Sequence, residues 1–102
     1  MNRLHVAAFY AFTPLNEHQR ESLLSELPGM ASTHHVLGSI LVAHEGVNGT
    51  ISGPEAGVEA LLQSLRESMA LGCEHFQRLE VKRSWADQAV FRRFKARRKK
   101  EI

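Results

Sequence analysis

Two short apolar runs around a glycine-bearing turn dominate the middle of the chain. Ile40 to Ala43 is aliphatic, Glu45 and Gly46 break it, and Val47 to Ser52 resumes an extended pattern before Gly53 and Pro54. Runs of this length flanking a tight turn signal a β-hairpin, expected here over residues 36–53. Gly46, Gly49 and Gly53 suit positive φ at a turn and close backbone approach. They do not make a phosphate loop, because no Lys-Ser/Thr follows, nor a dinucleotide fingerprint, because GxGxxG is absent. His44, Glu45 and Asn48 are expected at the tip, where a pure scaffold would not require them. Their residue types leave turn chemistry and a binding site equally open.

The flanking segments set what the hairpin is built into. Residues 3–12 alternate Leu4, Val6, Ala8 and Tyr10 with His5, Ala7, Phe9 and Ala11, apolar on both faces, as a central strand requires. His5 is expected to be a strand residue with a local partner. A helix can start at Thr13-Pro14 or at Asn16, where Gln19 completes a capping box. Leu23, Leu24, Leu27 and Met30 recur at helical spacing, and Pro28-Gly29 is expected to end the helix near Leu27. After the hairpin, Pro54 and Glu55 open a second helix with an apolar stripe of Val58, Leu61, Leu62, Leu65 and Met69, closed by Gly72. Residues 76–83 alternate as a fourth strand, with Leu79 and Val81 inward, and 84–90 are expected to be a loop or a short helical turn. Phe91 to Lys100 is strand-like. The order predicts an α+β fold: a ferredoxin-like βαββαβ sandwich with two helices on one face of an antiparallel sheet, plus a basic C-terminal strand. The other sheet face then needs a partner, a ligand or polar side chains.

At 102 residues the chain is one domain by length. It has no apolar stretch long enough to span a bilayer, so no membrane partner is expected, and its N-terminus does not read as a signal peptide. A single cysteine, Cys73, excludes an internal disulfide and fits a reducing, cytoplasmic setting. Adjacent His34 and His35, with no HxxxH or CxxC spacing, do not suggest a metal site. Cys73 follows the expected stop of a helix, where the dipole disfavours a thiolate. Glu45 is the sole acid in residues 31–54, so a paired-carboxylate mechanism has no second member there. No catalytic residue is assigned.

Charge is unevenly distributed. Residues 1–77 carry three arginines against eight acids, whereas residues 78–102 carry ten Lys or Arg against three acids. Lys82, Arg83, Arg92, Arg93, Lys95, Arg97, Arg98, Lys99 and Lys100 place cations on both faces of an extended segment, interleaved with Trp85, Phe91 and Phe94. Cations beside aromatics suit phosphate contact and base stacking on single-stranded RNA, so these nine residues are the expected RNA-binding set. The abrupt ending at Ile102 leads us to expect a fragment of a longer protein, with a frayed natural terminus as the alternative.

Residues 38–53, GSILVAHEGVNGTISG, closely resemble the signature G-x-I-L-x-A-x-E-G-I-N-G-T-I-x-G of the rhodanese-domain tRNA uridine hydroxylases. Lys82 to Ser84 with Phe91 to Ile102 is similar to the same family's K-x-S and F-x-R-x-K-V-x-x-K-x-E-I-V runs, and Tyr10 to Leu15 to its opening strand and turn. Val47, Val90 and Ala96 depart from the usual Ile, Pro and β-branched residue, the last with the prospect of a looser final strand. The resemblance implies an acylphosphatase-like N-terminal domain, residues 1–90, with residues 91–102 leading to a C-terminal rhodanese domain that carries the active-site cysteine. Cys73 does not correspond to that cysteine. It further implies a full-length enzyme that hydroxylates C5 of wobble uridine 34 with molecular oxygen as co-substrate, no cofactor in this chain, and partners in the tRNA anticodon stem-loop and the rhodanese domain. Glu45, Gly46, Asn48 and Gly49 are then expected to define the hairpin and shape an interface. Two other readings stand beside this one: a structural module that docks the rhodanese domain, and a small acylphosphatase-like enzyme, for which the loop at 11–16 lacks the required arginine.

Overall fold

Alternation along the first strand decides which side of the sheet is closed. In the computed structural model, which describes residues 3–67 and 79–99, β1 (Leu4–Phe12) turns His5, Ala7, Phe9 and Ala11 inward and Ala8, Tyr10 and Phe12 to the opposite face. It is followed by α1 (Glu17–Thr33), β2 (Leu37–Ala43), β3 (Gly46–Gly53), α2 (Glu55–Glu67), β4 (Glu80–Ala86) and β5 (Phe94–Arg98). The strands form one sheet in the order β4-β1-β3-β2-β5. β1 pairs antiparallel with β3 and β4, and β2 antiparallel with β3. β5 adds to the edge parallel to β2, so the sheet is mixed rather than wholly antiparallel. The βαββαβ arrangement is otherwise as expected, and β1 is an interior strand.

Both helices cover the same face: α1 lies over β2 and β5, α2 over β1 and β3. Leu23, Leu27, Leu61, Leu62 and Leu65 descend onto Phe9, Ile40, Val47 and Ile51 in one apolar core. Burial of such side chains contributes about 1.5–3 kcal/mol each. Phe94 and Ala96 pack against this core from β5, so the alanine at 96 leaves the last strand paired, with Ile40 as its neighbour.

Three boundaries differ from expectation or decide between alternatives. α1 starts at Asn16, whose side chain accepts from the Gln19 N–H while the Asn16 N–H donates to the Gln19 side chain. It also runs through Pro28 to Thr33. The reason is packing beyond the proline: Ala31 is buried, Met30 packs against the core, and the Met30, Ala31 and Ser32 carbonyls accept from His34, Val36 and His35. A proline costs one intrahelical bond, and those interactions offset it. β4 extends through Ser84, Trp85 and Ala86, which pair with Val6, His5 and Leu4. The length of β1 thus sets the end of β4. The expectations for Met69, Gly72, Cys73 and residues 76–78 fall outside the described residues, as do Lys100 and Ile102.

Candidate nucleic-acid interface

The β2–β3 connection turns at His44-Glu45, one residue earlier than expected, and pairs Ala43 with Gly46. Gly46 has φ +141°, and a Cβ there would run into the Ala11 carbonyl, so a side chain is excluded on both conformational and steric grounds. A Cβ on Gly49 would meet the Ser39 carbonyl at 2.5 Å. The tip is held from outside: the Thr13 N–H donates to the Glu45 carbonyl and the Leu15 N–H to the His44 carbonyl, each at 2.9 Å. His44 and Glu45 therefore anchor the β1–α1 loop through their backbones. Asn48 is not at the tip. It lies within β3, opposite Tyr10 on one side and Leu41 on the other.

Residues paired across strands share a face, and the register writes two rows across the helix-free side. One runs Glu80, Tyr10, Asn48, Leu41, Arg97 and the next Lys82, Ala8, Thr50, Ser39, Lys95. Tyr10 and Phe12 stand on this side at 47% and 69% exposure, with ring centroids 5.5 Å apart and planes tilted by 58°. Phe91, from the segment joining β4 to β5, helps these rings to line a cleft of about 940 Å³.

The expected RNA-binding residues are not one surface. Lys82 and Arg83 sit on the β4 edge and Lys95 to Arg98 on the β5 edge, four strands away. Faces divide them again. Arg83 points to the helix side, where its guanidinium makes two bonds to Glu59, at 2.8 and 2.9 Å. Glu59 also accepts from His5 Nε2 at 2.8 Å, so that ring nitrogen carries the proton. These donors, Arg83 foremost, hold the Glu59 carboxyl down at about 2. His5 is thus buried with a partner on α2, distant in sequence rather than local. Arg98 also points helixward and reaches Glu17 at 2.6 Å, and Glu17 binds Arg20 as well. Arg98 and then Arg20 lower the Glu17 carboxyl.

By contrast, Arg93, Lys95 and Arg97 have no ion-pair partner among the described residues. Arg93 and Arg97 push the Lys95 ammonium below its ordinary value, the mark of crowded like charge. The backbone around β5 holds these residues in place: Gly38 N–H donates to the Arg93 carbonyl and Lys99 N–H to the Val42 carbonyl. Arg92 is exposed beside them. Of the expected aromatics only Phe91 lines the cleft. Phe94 packs on the core, and Trp85 lies against His5 with centroids 4.7 Å apart, under the Arg3 guanidinium. Tyr10 and Phe12, expected only as strand residues, stand on the open side. The signal lies in the even positions of β1, where two large aromatics fall on one face. Among the described residues no three His, Cys, Asp or Glu side chains cluster to hold a metal ion, and no helix is long and apolar enough to cross a membrane.

Residues 4–102 match the family described as the UPF0176 acylphosphatase like domain. The chain belongs to that family. Across its whole length it is 87% identical to the tRNA uridine(34) hydroxylase of Synechococcus sp. (strain CC9902) and 72% identical to that of Parasynechococcus marenigrum (strain WH8102), covering 33% and 32% of those proteins. It therefore spans about one third of the length of the curated relatives it matches. An acylphosphatase from Coxiella burnetii shares the fold at a TM-score of 0.58 and 16% identity, over 94% of each chain. The resemblance carried by residues 38–53 is thus borne out at the level of family and fold.

Proposed function

We propose that this UPF0176 domain is the N-terminal, tRNA-engaging part of an oxygen-dependent hydroxylase that forms 5-hydroxyuridine at wobble position 34. It acts in the cytoplasm beside a C-terminal rhodanese domain that supplies the reactive cysteine. Support comes from relatives that carry the name tRNA uridine(34) hydroxylase and are about three times as long as this chain. The observation that carries the reading is the unneutralised run of Arg93, Lys95 and Arg97, crowded enough to depress the lysine. Cations without carboxylate partners gain most from a polyanion, whose counterions they release.

Chemistry within the domain has less support. The β1–α1 loop contains no arginine, and the nearby guanidinium of Arg20 is engaged by the Leu15 carbonyl and by Glu17. An acylphosphatase reaction would need that group free. The domain's part is to hold the RNA while the reacting groups lie elsewhere in the enzyme.

A salt titration of tRNA affinity tests the reading. Arg93→Glu with Arg97→Glu is expected to weaken binding at least tenfold and to flatten the dependence of log affinity on log salt by about two, one for each phosphate no longer gripped. Unchanged affinity and slope would place the grip away from β5.

A further inference from the structure

The open face of the sheet has no helix over it, yet it is not built as a water-facing surface. A solvated face alternates polar side chains outward. Here the interior strand β1 presents Tyr10 and Phe12, and Leu41 continues the apolar ground from β2. Hydrogen-bonding groups are interspersed: Asn48 stands between Tyr10 and Leu41, and Thr50 and Ser39 fill the next row. Cations stand at both ends of that row, Lys82 on β4 and Lys95 on β5, and Arg97 closes the row through Tyr10. Glu80 is the one acid these two rows carry, at the end far from β5.

We infer that this face is a stacking platform for unpaired RNA bases, with Tyr10 and Phe12 as the stacking rings and Lys95 and Arg97 as the phosphate contacts. The inference rests on the proposed engagement of tRNA and says where and how the loop is held. Three observations favour an RNA over a protein occupant. The rings are exposed and inclined to each other by 58°, so two bases can be received at different angles. The apolar ground is bordered by cations that lack ion-pair partners among the described residues, and a stacked base brings its own phosphate to them. Asn48 and Thr50, standing between the rings and the cations, offer donors and acceptors to base edges. Double-stranded RNA does not fit this arrangement, because paired bases leave no free faces to stack on.

The test is a fluorescence-anisotropy titration of this chain with an RNA stem-loop and with a fully paired duplex of matching charge. Tyr10→Ala with Phe12→Ala is expected to weaken stem-loop binding by about ten- to a hundredfold, with duplex binding and the salt slope unchanged. Tyr10→Phe keeps the ring and is expected to keep the affinity. Both rings are solvent-exposed, and a cooperative urea transition, with the binding conditions well below its midpoint, confirms that the variants fold. If the double variant binds the stem-loop as the parent does, while Arg93→Glu with Arg97→Glu abolishes binding, the platform is refuted and the tRNA reading survives. If the parent binds neither RNA, both fall. If adding a second protein domain buries the Tyr10 and Phe12 rings and blocks RNA, the face is a protein interface and the inference is overturned.

Discussion

Along β1, Ala7, Phe9 and Ala11 are closed under α2 and the core, while on the same strand Tyr10 is about half exposed and Phe12 stands largely in solvent. Charge divides the same way. On the helix side two strand arginines each have an acid waiting on a helix: Arg83 has Glu59 and Arg98 has Glu17. On the open side Lys95 and Arg97 have none among the described residues. One face neutralises its charges within the fold, and the other keeps them available. That difference, rather than the number of basic residues, is what the proposed RNA-binding face rests on.

Stability measurements should separate the two sides sharply. Ile51→Ala or Leu61→Ala, on the covered face, is expected to cost about 2–5 kcal/mol by urea denaturation, from lost transfer energy and a cavity. Tyr10→Ala on the open face should cost about 1 kcal/mol or less. Equal losses would show that the open face is a second core, not an available surface. Gly46→Ala is next, expected to cost about 2–3 kcal/mol through strain at positive φ and collision with the Ala11 carbonyl. A mild effect would show that the hairpin can shift away from β1.

The Glu59 network makes the helix side sensitive to acid. Its folded carboxyl lies near 2 against an ordinary value of 4.5, so over that window the unfolded chain binds more protons than the folded one. The stability this carboxylate contributes is whole above about pH 4.5 and is lost as pH falls towards 2. Glu59→Gln should cost about 1 kcal/mol near neutral pH, because the site is partly solvated, and should flatten the acid limb of the stability profile. An acid limb of unchanged steepness would assign that loss to other carboxylates. Smallest is Arg98→Ala, expected within about 0.5 kcal/mol because both partners are exposed.

Much of this was legible in the residues. The hairpin, the alternation in β1 and the Val58 to Leu65 stripe each follow a period that the backbone imposes and appear where expected, except that the turn falls one residue early and Asn48 lies within β3 rather than at the tip. The end of α1 was not legible, since Pro28 signals a stop locally and only the tertiary burial of Ala31 overrides it. The end of β4 was hidden for a like reason: Ser84 to Ala86 read as a loop until β1 offers partners. For the interface, the sequence shows how many cations there are but not which acids reach them. Arg83 and Arg98 look identical to Arg97 until Glu59 and Glu17 arrive from the helices, 24 and 81 residues away along the chain. Tyr10 and Phe12 were masked by their ordinary role as strand formers.

The most direct test is an NMR titration of the chain with an anticodon stem-loop, followed at backbone amides and aromatic side chains. Shifts are expected at Tyr10, Phe12, Asn48, Thr50, Lys95 and Arg97, with the outward residues of α1 and α2 silent. Shifts confined to the helical face, or spread over Arg83 and Glu59 while the Tyr10 and Phe12 rings stay unmoved, would contradict it.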